Sequence, residues 1–132
     1  MRRTEDVKDA YPHKDLTENI IGAAIEVHRV LGPGFIEQIY EEAFACELRL
    51  RGIKFEKQGE VEVYYKDQLV GTHRFDFLVE GEVIVELKAV RALDEVQQAQ
   101  VISTLKAADK KIGLLINFCE KRLTDGLKRF II

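Results

Sequence analysis

Residues 71–90, GTHRFDFLVEGEVIVELKAV, constrain the fold more than any other part of the chain. Their Phe, Val, Leu and Ile side chains read as two β-strands that turn back on one another at Glu80-Gly81-Glu82. Side chains alternate faces along a strand, so Val83, Val85 and Leu87 share one face while Ile84, Glu86 and Lys88 share the other. In the preceding strand Phe75, Phe77 and Val79 form one set, leaving Asp76 and Leu78 on the other. If the two apolar sets face the same side, the connection holds an odd number of residues, and a three-residue loop places Asp76 opposite Glu86. A hairpin of core character thus gathers two carboxylates and an ammonium.

Opposed carboxylates repel, and an unpaired charge in a covered place is costly. Lys88 can compensate as an ion-pair partner, and a divalent cation held between Asp76 and Glu86 compensates better. Mg²⁺ takes one or two protein carboxylates, waters and a substrate phosphate, and a lysine beside it can activate water or offset charge that builds on phosphorus. The same spacing also fits a surface hairpin whose open face carries Asp, Glu and Lys with no metal. The apolar Leu78, Ile84 and Ala89 around the charges favour a partly covered cleft.

Around this hairpin, the pattern predicts a helix over 16–31 with Thr17 as N-cap, ended by Gly32-Pro33-Gly34. A second helix follows from about Phe35 to Arg51, with Ile36, Ile39, Ala43, Cys46 and Leu50 as its apolar stripe and Gly52 as its stop. Strands are expected near 59–65, 69–79 and 83–90, then a helix over 93–109 with Val96, Ala99, Ile102 or Ser103, and Lys106 in spacing, a buried strand over 112–118, and an edge strand in GLKRFII. The order ααβββαβ(β) indicates an α/β (α+β) fold with a mixed sheet flanked by helices, because the helix between the third and fourth strands permits a parallel pairing. The charged start, residues 1–15, reads as a flexible N-terminal arm before a single domain over 16–132.

A chain of 132 residues can bury one core without disulfides or a structural metal. No apolar run approaches the ~20 residues of a membrane span, and the start lacks the apolar stretch of a secretion signal, so the expectation is a cytoplasmic protein with no membrane partner. Cys46 and Cys119 have no CxxC spacing and are expected as reduced core or edge thiols. A net charge of −3 argues against coating nucleic acid by bulk charge and leaves a local basic groove open.

Asp76 followed on the next strand by Glu86-Leu87-Lys88 resembles the signature of the PD-(D/E)XK nuclease superfamily, with Phe75 where that name has proline. LGPGFIEQIYEEAF, FDFLVEGEVIVELKAV and GLLINF, in this order, resemble the GxxExxY protein family through Gly34, Glu37 and Tyr40, over about residues 16–132. The resemblance implies a restriction-endonuclease-like αβββαβ core with an extra N-terminal helix, in which carboxylates and a lysine bind Mg²⁺, or Mn²⁺ in its place, and hydrolyse DNA. It assigns Asp76, Glu86 and the Leu87 carbonyl to the metal, Lys88 to the water, and Glu37 to the acidic set, with Glu41 as the fallback one turn on. Tyr40 is either a core tyrosine or a substrate contact.

Gln100 matches a glutamine that many relatives carry, where it would orient a phosphate or Lys88, and Thr104 stands where they have tyrosine. His28 is expected to pack against loop backbone. Arg74 would pair with Asp76 or touch a phosphate. Lys106, Lys110 and Lys111 with Arg91, Lys121 and Arg122 would flank a cleft. Pairing of two copies to cut both strands is compatible with the sequence, although no stripe in it can be assigned to a homodimer interface. The rival reading is a catalytically silent nucleic-acid-binding or protein-interaction module on the same fold.

Overall fold

The computed structural model describes residues 13–132. Of the arm expected over 1–15, residues 1–12 lie outside the described residues, and Lys14 already opens the first helix. Helix α1, Lys14–Leu31, begins after His13 at φ 57° with no side-chain cap. Thr17, expected as the N-cap, is instead buried within the first turn, where its hydroxyl donates to the His13 carbonyl at 2.7 Å. The physical reason is that a Thr hydroxyl inside a helix can satisfy itself on the carbonyl four residues back. The helix ends at Gly32, whose φ of 71° suits glycine and whose N–H donates to the His28 carbonyl at 2.7 Å.

Helix α2, Glu37–Leu50, buries Tyr40, Phe44, Ala45 and Leu48 rather than the stripe read from the sequence. Both stripes have helical spacing, and the one with aromatic rings makes the larger contact. Tyr40 stacks on Phe118 with ring centroids 4.6 Å apart, and Phe44 meets Phe77 edge-on at 5.0 Å.

Strands β1 (Phe55–Tyr65), β2 (Gln68–Val79), β3 (Val83–Lys88), β4 (Ile112–Asn117) and β5 (Leu127–Ile131) form one mixed sheet in the order β1-β2-β3-β4-β5. The β3–β4 pair is parallel, joined through helix α3, Glu95–Ala108, and the other pairs are antiparallel. Asp94 caps α3 in a reciprocal box with Gln97. This helix turns Val101, Thr104 and Leu105 inward and leaves Val96 exposed, again a different face from the expected one.

The sheet is covered on both sides. Helices α1 and α2 pack with Phe77, Val79, Val83, Val85, Leu87 and alternate residues of β4, while α3 packs on Phe75, Ile84 and Leu115. Every residue of β4 is buried, as expected for a central parallel strand. The mixed α+β architecture thus agrees with the fold expected from the sequence.

Candidate metal centre

Strand β2 turns into β3 through the three-residue loop Glu80–Glu82, and Val79 pairs with Val83 as the alternation requires. The ladder stops at Phe77–Val85, one step before Asp76 and Glu86 would pair. Beyond that step the strands part, and the two carboxylates fill the gap. Leu87 N–H donates to Asp76 Oδ2 at 2.8 Å, and Asp76 N–H donates to Glu86 Oε2 at 3.3 Å. Each carboxylate thus satisfies backbone that the lost ladder would otherwise leave open.

The opening is matched by an irregularity in β1. Gln58 has φ 55°, and the β1–β2 register skips the Gln58–Asp76 pair between Lys57–Phe77 and Gly59–Phe75. Phe75 and Phe77, expected on one face, therefore pack in different clusters on opposite sides of the sheet. Asp76 sits at this break, and its carboxylate reaches the helix α2 side.

Helix α2 supplies the remaining acids. One carboxylate oxygen from each of Glu37, Glu41 and Asp76 lies within 4.8 Å of the others. Gln58 donates to Glu41 at 3.0 Å and lies 3.5 Å from Asp76 Oδ1. Glu41, the fallback in the sequence reading, is therefore inside the cluster, and Glu86 adjoins it through Asp76. The Leu87 N–H points toward β2 to reach Asp76, and in an extended strand the carbonyl of the same residue points to that side too. Lys88 makes no ion pair with a described carboxylate, yet its ammonium is close enough to favour the ionised forms of both Glu37 and Glu86.

Burial and mutual repulsion oppose ionisation of Glu86, Glu37 and Glu41. Desolvation first, then the Asp76 charge, raises the Glu86 carboxyl from 4.5 to about 8, with Lys88 acting in the opposite direction. Glu37 is raised by burial, with Lys88 opposing and Asp76 and Glu41 adding to the effect. Glu41 is raised by burial and by Asp76, against the Gln58 hydrogen bond and Lys57. Such a set of oxygen donors, short of positive charge, has the chemistry of a site for a hard divalent cation.

Other expected residues are placed differently. Tyr40 is fully buried, its hydroxyl donating to the Gly32 carbonyl and accepting from Phe35 N–H, the packed core tyrosine of the two readings. Arg74 is exposed on β2 opposite Glu60 and forms no ion pair with Asp76. Gln100 is exposed on α3, and no hydrogen bond among the described residues links it to Lys88. Thr104 is buried between the Gln100 carbonyl and His73 Nε2. His28 packs as expected, 2.8 Å from the Glu120 carbonyl. Cys46 and Cys119 are both exposed, so neither is a core thiol.

The expected basic cluster divides in two. Because β3 and β4 run parallel, Arg91, Lys121 and Arg122 follow the strand ends that carry Lys88, whereas Lys106, Lys110 and Lys111 precede β4 at the opposite end of the sheet. Six residues of strand separate the ends by ~20 Å. Sequence reasoning missed Gln58 altogether, since a left-handed glutamine inside a strand carries no sequence signal.

Residues 14–130 match a family model described as the PD-(D/E)XK nuclease superfamily. No curated protein and no solved structure matches the chain.

Proposed function

Because the chain belongs to the PD-(D/E)XK nuclease superfamily, we propose that it is a metal-dependent deoxyribonuclease whose hydrolysis of DNA is structure-selective or nonspecific and does not read base sequence. The observation that carries this reading is the convergence of Glu37, Glu41 and Asp76 beside Glu86 and Lys88, at the point where β2 and β3 part. The blocks around Gly34, Glu37 and Tyr40 support placing the chain within the GxxExxY group.

In this reading Asp76, Glu86, the Leu87 carbonyl and Glu37 hold Mg²⁺, or Mn²⁺, with Glu41 in reach. A bound ion supplies a polarised phosphoryl oxygen and a water of lowered pKa. Lys88 holds the attacking water and offsets charge on the phosphorane oxygens. Arg74, past Asp76 on the open part of β2, contacts a phosphate, and Gln100 lies along the strand path on α3. Base readout is not expected, since nothing in the sequence resembles a recognition helix or an aromatic stacking surface. Among the described residues no helix is long and apolar enough to cross a membrane. The two free thiols are in keeping with a cytoplasmic site of action.

The test is cleavage of labelled linear, nicked, branched and single-stranded DNA, with RNA alongside, in Mg²⁺ and in Mn²⁺. Cleavage should require the metal and disappear in Glu86→Ala. Lys88→Met should lower the rate by roughly 10²–10⁴-fold while calorimetry still detects metal binding. Nucleic acid bound but left intact under every metal would overturn the enzyme in favour of a binding module.

A further inference from the structure

Helix α2 with its N-cap Ile36 carries two apolar stripes, and the fold buries only one, while of the other Ala43 alone packs partly against the core. The other, Ile36, Ile39, Ala43, Cys46 and Leu50, advances by alternating steps of three and four residues, the a/d spacing of a coiled-coil seam. It is open to solvent: Ile36 is 66 % exposed, Ile39 41 % and Leu50 76 %. Beside its middle, a mostly apolar groove of about 160 Å³ between α1 and α2 is lined by Val27, Val30, Ala43 and Cys46 together with Glu26 and Glu47. Single exposed apolar residues are ordinary, whereas a continuous stripe of them is not. With Val30, 63 % exposed on the facing wall of the groove, the apolar patch extends from α2 onto α1, and a polar rim supplies the rest of the ~800 Å² per partner of a stable interface.

We propose that this seam is a two-fold interface between two copies of the chain, with α2 packed antiparallel on its counterpart. The stripe is self-complementary under that operation. An axis between Ala43 and Cys46 brings the small residues together at the centre, where helices can approach closely, and sets Ile39 of each copy against Leu50 of the other. Charge chooses the direction. Glu42 and Arg49 flank the seam on one side, a heptad apart, so antiparallel packing sets Glu42 of each copy near Arg49 of the other. Parallel packing would direct Glu42 at Glu47 instead. In the single chain Glu42 pairs with Lys57, and the Arg49 guanidinium lies 5.3 Å from the Phe55 ring centre, so both charges remain at the rim. Rim pairs add little affinity and fix orientation.

At 3.6 residues per turn, Glu37 and Glu41 lie on the side of α2 opposite the seam. The interface therefore leaves both carboxylate clusters open and facing away from each other. It stands on the apolar face and its flanking charges and holds whether or not the cluster turns over.

Sedimentation equilibrium of the full chain from low to high micromolar concentration should show a monomer–dimer equilibrium. Ile39→Lys and Leu50→Lys, both at exposed positions, should each weaken it at least tenfold. Glu42→Arg and Arg49→Glu should weaken it singly and restore it together. A short bis-maleimide should join two copies through Cys46, and the product should vanish in Cys46→Ser and persist in Cys119→Ser. A chain monomeric throughout that range, a dimer indifferent to both lysine variants, or a charge-swapped double variant weaker than either single one would overturn the proposal.

Discussion

In the proposed metal site, Glu86 would tie the stability of the protein to the loading of that site. A carboxyl raised from 4.5 to about 8 keeps its proton in the folded chain after the unfolded chain has released it. Its contribution to stability is therefore fully present below about pH 4.5, is lost as pH rises toward about 8, and stays lost above. Glu86→Gln keeps the shape and cannot ionise. In metal-free protein at pH above 8 it should raise stability by about 1–2 kcal/mol and flatten the pH dependence, while abolishing metal uptake. Urea melts at several pH values, in the presence of a chelator, read this directly. In the proposed site the same proton would compete with the cation. Affinity for Mg²⁺ or Mn²⁺ should rise about tenfold per pH unit and level off above about 8, with a proton released into the buffer on binding. Calorimetry in two buffers of different ionisation enthalpy measures that proton, and a pH-independent affinity would show that Glu86 is ionised before the metal arrives.

The elements were legible where period and punctuation agree. Among the described residues the order of α-helices and strands, the Glu80–Glu82 loop and the parallel β3–β4 crossover follow from residue spacing and turn residues, whereas the short 3-10 helix Leu123–Gly126 does not. Which helical face is buried was not legible, because α2 has two apolar stripes and spacing alone does not rank Tyr40, Phe44 and Leu48 above Ile39, Cys46 and Leu50. In α3 the inward face contains Thr104, a polar residue that becomes tolerable only because His73 and the Gln100 carbonyl satisfy its hydroxyl. Asp76, Glu86 and Lys88 could be read because they share one hairpin. The approach of Glu41 and Gln58 depends on the break in β1, which no local pattern encodes. Gly59 is the one sequence trace of that break. A Cβ there would lie 2.2 Å from the Phe75 ring, so Gly59→Ala should cost about 1–3 kcal/mol and, by shifting the neighbour of Asp76, lower metal affinity as well. Gly71→Ala, on the same hairpin with nothing within 4 Å, should change stability by less than about 0.5 kcal/mol. Denaturant melts and metal titrations of the two variants make the comparison.

Across the whole molecule, the total charge of −3 says nothing about where a polyanion would lie, and the topology does. Arg91, Lys121 and Arg122 follow the ends of β3 and β4 beside Lys88, and Arg74 lies past Asp76 on the same open end of the sheet. Lys106, Lys110 and Lys111 sit at the far end. A DNA backbone lying across the carboxylates meets the first group and misses the second. Cations that contact phosphates release counterions, so each one lost lowers both affinity and its dependence on salt, by about one unit of slope per contact. Lys121→Glu with Arg122→Glu should therefore weaken DNA binding at low salt and flatten its salt dependence. Arg122 lies only 3.8 Å from Asp125, and both side chains are largely exposed, so that pair gives up little when it is broken. Lys110→Glu with Lys111→Glu carries the same charge change at the other end of the sheet and should leave both quantities near the parent values. Fluorescence anisotropy of a labelled duplex across a salt series, with Ca²⁺ in place of Mg²⁺ to hold cleavage back, compares the two double variants at equal net charge. Equal losses would mean that binding follows total charge, and the path across the open end of the sheet would have to be abandoned.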